Sequence, residues 1–171
     1  MDRMSSIELA LKNERTEMEY YLNQAKRSHN KVAQALFYTL AEDEKEHMTR
    51  LEGLHAQLIA RGFWPEDVAI EVAGTNIRQV LDNIVHDKAT AAEHDDDDIQ
   101  ALKKGVEFER NGAQFYTDLA AACTNPAEAK FFRFLAGIER EHFLSIQSSL
   151  SFLTNPEGWF QEKERSGLDG A

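Results

Sequence analysis

The sequence predicts an all-α fold: a four-helix bundle made of two antiparallel helical hairpins joined by a long crossover. Three observations carry this. Ala, Leu, Glu, Lys and Gln dominate the periodic segments and the chain holds only three prolines, a composition that favours helix over strand. Apolar residues recur at steps of three and four along four long segments. The chain also repeats itself at an offset of 95 residues, too long for a solenoid unit but suited to a pair of helices of about 25–30 residues each, at ~1.5 Å rise per residue. With 171 residues, one domain with a sizeable core is expected.

The first helix is predicted from about Ser5 to Arg27, with Ser5 or Ser6 as N-cap. The second runs from about Asn30 to Arg61 and stops at Gly62, a residue suited to the left-handed C-terminal position. Phe63-Trp64-Pro65 breaks the pattern, and Thr75 or Asn76 caps a short helix reaching about His86. The third long helix starts near the acidic run Asp95–Asp98 and ends about Cys123. Thr124-Asn125-Pro126-Ala127-Glu128 starts the fourth: a capping residue, proline at the first helical position, then an acid. That helix reaches about Leu153. Short turns join the helices of each hairpin, so the stretch from Gly62 to about Glu93 is the crossover. The bundle is assigned to residues 1–154. Residues 155–171 read as an irregular tail, with Trp159-Phe160 docking it on the bundle or on a second subunit.

The residues that repeat are metal-ligand types. Glu14 pairs with Glu109, Glu44 with Glu139 and His47 with His142. Their neighbours follow: Tyr20-Tyr21 with Phe115-Tyr116, Phe37 with Phe132, and Leu40-Ala41 with Leu135-Ala136. Phase separates these acids from ordinary surface acids. The stripe Phe37, Leu40, Ala41, Met48, Leu51, Leu54, Leu58 passes through Glu44 and His47. Its counterpart Phe132, Leu135, Ala136, Phe143, Ile146, Leu150, Leu153 passes through Glu139 and His142. Glu14 lies on the stripe Ile7, Ala10, Leu11, Met18, Tyr21, Leu22, Ala25, and Glu109 on Ile99, Leu102, Val106, Ala113, Tyr116, Ala120. Burying an unpaired carboxylate costs several kcal/mol, and no matching set of core Lys or Arg exists. Two divalent cations would balance the four carboxylates; without them some must hold protons at raised, coupled pKa values. Glu-x-x-His places a carboxylate and an imidazole on one helix face, and a Glu from each remaining helix, Glu14 and Glu109, can bridge both metals. Oxygen and nitrogen ligands without thiolate suit iron or manganese, with zinc as a further alternative.

Acidic residues outnumber basic ones by 30 to 19, a formal net charge of −11. That balance argues against nucleic-acid binding, and its field attracts small cations. Cys123 is the only cysteine, so neither a disulfide framework nor a thiolate metal site is expected. The opening residues lack the apolar core of a signal peptide, and no run reaches the ~18 apolar residues of a membrane span. No membrane association and a cytoplasmic location are the expectation.

On Glu14 with Tyr20-Tyr21, Glu44-x-x-His47, Glu109 with Phe115-Tyr116, and Glu139-x-x-His142, the stretch from about Ser5 to Leu153 resembles the ferritin-like superfamily, most closely the di-iron domain of rubrerythrins. The resemblance implies a ferritin-like four-helix bundle holding two iron ions. It makes Glu44 and Glu139 terminal or bridging carboxylates, Glu14 and Glu109 the others, and His47 and His142 terminal nitrogen ligands. It also implies reduction of hydrogen peroxide or dioxygen, or oxidation of ferrous iron. Two departures stand out. Rubrerythrins usually carry a four-cysteine rubredoxin module; here there is only Cys123, so an external electron donor is expected, a rubredoxin or another reductase. They also tend to carry an extra Glu one turn after the third-helix ligand. Here that position is Gly112, whereas its repeat partner is Glu17, so a seventh carboxylate on the first helix is a candidate ligand and a solvated Glu17 the alternative.

Tyr21 and Tyr116 are expected as core aromatics whose hydroxyls bond to buried carboxylates, in preference to a redox role. Glu46 and Glu141, two residues beyond a ligand, turn away from the site. His29, His55, His86 and His94 lack an acid at ligand spacing and read as structural or exposed. The Asp95–Asp98 run favours the N-terminus of the third helix, with cation collection secondary. Trp64 and Trp159, read as exposed, and the long crossover suit a homodimer, with exchanged hairpins as a variant. The leading functional expectation is a non-haem di-iron oxidoreductase. Against it stand an iron-binding or ferroxidase protein for storage, delivery or sensing, and a scaffold whose metal only staples the bundle.

Overall fold

A computed structural model describes residues 3–64, 74–85 and 96–168. These residues form six α-helices: α1 Arg3–Arg27, α2 Lys31–Arg61, α3 Ile77–Ile84, α4 Asp96–Ala122, α5 Pro126–Thr154 and α6 Pro156–Leu168. Among them there is no strand. α1 pairs with α2 and α4 with α5 as the two hairpins, while α3 packs on α2 and α5 and α6 packs on α5.

The helix boundaries follow local chemistry. The Asn30 side chain accepts from the backbone N–H groups of Val32 and Ala33, starting α2. Gly62, at φ 73°, ends it in the left-handed conformation and returns its N–H to the Leu58 carbonyl, a geometry that costs a residue with a Cβ. Asn125 caps α5 in the same way through Ala127 and Glu128, with Pro126 at the first position. One expectation about caps changes and another is settled between its alternatives. α1 begins at Arg3, so Ser5 and Ser6 lie inside the helix. At α3 the Thr75 hydroxyl accepts from the Ile77 N–H, whereas Asn76 makes no side-chain cap.

The tail is not irregular. Pro156 opens α6, since its fixed φ suits a first helical position. Trp159 and Phe160 pack edge-on against Phe152 of α5, and the Trp159 Nε1–H donates to the Ser148 hydroxyl. Lys163 reaches Asp82 of α3, tying the last helix to the short one.

Trp64 also departs from expectation: it is buried at 3 % exposure. Just past the Gly62 turn the chain folds back over the bundle end, and the indole packs on Phe131 and Phe132. An apolar indole covered this way leaves mainly Phe63 and Ile59 exposed there. The acidic run serves more than a helix dipole. Asp96, Asp97 and Asp98 occupy the first turn of α4, and buried Asp98 accepts from Arg27 Nη2 at 2.8 Å, joining the end of α1 to the start of α4. Asp95, His86 and His94 lie outside the described residues.

The core forms two apolar clusters. One gathers Tyr21, Ala25, Leu36, Phe37, Leu40, Leu102, Ile146 and Phe152. The other gathers Ile7, Ala10, Leu51, Leu54, Tyr116, Phe132, Leu135 and Ile138. Between them, halfway along the four long helices, lies a layer of buried charge.

Candidate metal centre

All six repeated residues converge in that layer. Glu14, Glu44, Glu109, Glu139, His47 and His142 are each buried, at 2 % exposure or less. Their ligand atoms form two sets, each with every atom within 4.8 Å of the others: Glu14, Glu44, His47 and Glu139, and Glu44, Glu109, Glu139 and His142. Glu44 and Glu139 belong to both sets, whereas Glu14 and Glu109, the pair expected to bridge, belong to one each. The arrangement follows from the phases read above, because α1 and α4 each contribute one carboxylate, and α2 and α5 each a Glu-x-x-His face.

The imidazoles aim one nitrogen inward. His47 Nδ1 lies 2.9 Å from Glu14 Oε2 and 2.9 Å from Glu44 Oε2, and 3.6 Å from Glu139 Oε1. His142 Nδ1 lies 3.3 Å from Glu109 Oε2 and 3.4 Å from Glu44 Oε1. The two rings stack at 5.8 Å, 20° from parallel. His142 has a further partner that sequence reasoning missed: its Nε2–H donates to Asp43 Oδ2 at 3.0 Å. Asp43 sits on α2 and reaches across to α5. A carboxylate on the outer nitrogen fixes the ring's orientation and tautomer and raises its basicity as a ligand.

The tyrosines exchange partners between hairpins. The Tyr21 hydroxyl donates to Glu109 at 2.5 Å, and the Tyr116 hydroxyl donates to Glu14. Each tyrosine therefore holds the glutamate of the opposite hairpin rather than its own helix neighbour. Both rings are fully buried, as expected of core aromatics with a bonded hydroxyl. Burial, then the charge of the facing glutamate, pushes both phenols well above their ordinary range.

Burial dominates the carboxylate electrostatics. It lifts Glu14 to about 7, with Glu44 adding repulsion and His47 opposing. Burial and the charges of Glu44, Glu109 and Glu14 hold Glu139 well above the carboxylate range. Glu44 goes the other way: burial would raise it, but the charge and hydrogen bond of His47 and the nearby His142 imidazole leave it well below normal. For the imidazoles burial alone would lower the pKa, yet Glu44 and Glu14 carry His47 up to about 10. Glu109 and Asp43 likewise raise His142.

Glu17 stands just outside both converging sets. Its carboxyl is largely enclosed and is pushed up to about 10 by burial and by Glu44, Glu109 and Glu14, with His142 opposing. Its repeat partner Gly112 lies against the centre too: a Cβ there would meet Glu139 Cδ and Oε2 at 3.3 Å. Glu46 turns outward to Arg50 of its own helix, and Glu141 is exposed. His29 is exposed, and His55 lies 3.7 Å from Glu8, away from the centre.

The residues fit a pair of metal ions by their own chemistry. Glu44 Oε1, Glu109 Oε2, both oxygens of Glu139 and His142 Nδ1 are buried without a hydrogen-bond partner among the described residues. Such orphaned polar atoms are costly unless something coordinates them. The family model described as Rubrerythrin matches residues 6–150. This chain belongs to the rubrerythrin family. No significant match was found among curated proteins or solved structures. The all-α ferritin-like bundle is the fold expected, and the buried Glu and His cluster fits the di-iron site of such a domain. No described helix is long and apolar enough to cross a membrane.

Proposed function

We propose that this rubrerythrin-family chain is a non-haem di-iron oxidoreductase that reduces hydrogen peroxide or dioxygen with electrons from an external donor. The observation that carries the proposal is the pair of buried ligand sets sharing Glu44 and Glu139. Two irons held there would supply the two electrons that cleavage of a peroxide O–O bond requires. Oxygen and imidazole donors without thiolate suit iron and manganese better than a closed zinc site.

The chain's own groups serve the chemistry around the metals. Tyr21 and Tyr116 hold Glu109 and Glu14 in place by their hydroxyls. Asp43 orients His142. Gly112 leaves Glu139 room to move, which a shared carboxylate needs if its coordination follows the metal charge. The flanking apolar clusters keep bulk water from the layer.

The test is anaerobic loading with ferrous iron followed by stoichiometric peroxide, and separately dioxygen, watched by ferric absorption. Rapid oxidation by one peroxide per two irons supports the proposal; ferrous protein that survives peroxide overturns it. Retention of many irons per chain after oxidation would instead mark a ferroxidase used in storage or delivery. A native protein carrying redox-silent zinc, with a large loss of thermal stability on chelation, would mark a stapled scaffold. We further propose a homodimer, with Phe63 and Ile59 as exposed apolar residues available to a partner, to be checked by sizing.

A further inference from the structure

The 95-residue repeat exchanges the two ligand sets, turning Glu14, Glu44, His47 and Glu139 into Glu109, Glu139, His142 and Glu44. If only these six residues mattered, the two metal positions would be equal. One break in the repeat falls beside the centre. Asp43 holds the outer nitrogen of His142 at 3.0 Å, whereas its repeat partner is Ile138, a buried apolar residue with no acceptor to offer.

We propose that the two metal positions are unequal, with the Glu109–His142 position binding a divalent cation more tightly and filling first. This rests on the dinuclear reading above. Asp43 contributes by positioning: its hydrogen bond keeps His142 Nδ1 directed at Glu109 and Glu44, so little ring ordering remains when the ion arrives. The Glu14–His47 position has no such aid. It is therefore the exchangeable one, from which an ion leaves first and into which an arriving ion enters second.

The experiment is a calorimetric titration of the metal-free full chain with Co(II), followed in parallel by its visible absorption. Two resolved steps are expected, separated by tenfold or more. Asp43→Asn should weaken the first step by ~10–100-fold, the range for loss of an outer hydrogen-bond partner of a ligand, and leave the second unchanged. His142→Gln should remove the tight step, and His47→Gln only the weak one. Two cobalt ions bound with equal affinity, or an Asp43→Asn effect confined to the second step, would overturn the inequality while leaving the dinuclear reading intact. Binding of less than one cobalt at micromolar concentration would overturn both.

Discussion

Replacing Gly112 by alanine sets the preference of the helix against that of the metal centre. The added Cβ would lie 3.3 Å from Cδ and Oε2 of Glu139, so that carboxylate must yield by a few tenths of an ångström. α4 meanwhile gains ~0.8–1.0 kcal/mol of helix propensity. In the metal-free protein neither Glu139 oxygen has a hydrogen-bond partner among the described residues, so the side chain can move and propensity wins. The melting temperature should then rise by ~2–4 °C, the shift for about 1 kcal/mol in a domain of this size. With metal bound, Glu139 is shared by both positions and cannot yield without weakening them. A tenfold weaker metal is ~1.4 kcal/mol, more than the propensity gain, so the loaded variant should melt ~1–2 °C below the loaded wild type. Melting curves with saturating Co(II) and with chelator read both signs. Equal increases in the two states would refute the reasoning, since they would mean that Glu139 does not carry the metal.

Other perturbations test neighbouring parts of the argument. Tyr116→Phe should cost ~1.5–3 kcal/mol of stability, the range for a hydrogen bond to a charged group, seen in chemical denaturation; unchanged stability with collapsed ferrous oxidation would assign the phenol a redox role instead. The metal-free protein should lose stability from pH 5 to pH 9. Glu14 and Glu17, raised to about 7 and 10 from 4.5, and His47, raised to about 10 from 6.5, all hold in the folded state protons that the unfolded chain releases earlier. The lowered Glu44 acts only below the ordinary carboxylate pKa, so it does not reverse the trend. Metal binding should strengthen over the same range as those protons become easier to displace, and calorimetry in two buffers of different ionisation enthalpy would count them. Arg27→Ala should cost ~1–2 kcal/mol, because it strips a charged hydrogen bond from buried Asp98 while the arginine itself is partly exposed.

The ligands were legible because burial has a period. Glu44 and His47 interrupt a stripe of Leu and Ala at the spacing of the stripe itself, and only a residue facing the core can do so. Asp43 was not legible, since one residue before a ligand on its own helix gives no hint of a partner on α5. Its one trace is the failure of the repeat at Ile138, a signal readable only once the repeat is trusted elsewhere. Trp64 and α6 were misread for a shared reason. Gly62 was read as the stop of the second helix and residues 155–171 as irregular, yet a stop for one helix leaves the chain free to pack again. Trp64 found Phe131 and Phe132, and Trp159 found Phe152. Such contacts lie far apart in sequence, and local pattern carries no record of them.

The charged layer between the two apolar clusters has a consequence for how the helices find their alignment. Leucine, alanine and phenylalanine stripes are forgiving: slide one helix by a turn, ~5.4 Å, and apolar side chains still meet apolar side chains. Glutamate and histidine are not forgiving. The same slip would press Glu44 or His142 into leucines and strand the hydroxyls of Tyr21 and Tyr116 without acceptors, at a cost of ~1–3 kcal/mol for each buried group left unsatisfied. The crossed tyrosine–glutamate pairs thus fix the register of one hairpin against the other. They do so with protein atoms alone, adding a constraint on register that is separate from metal coordination.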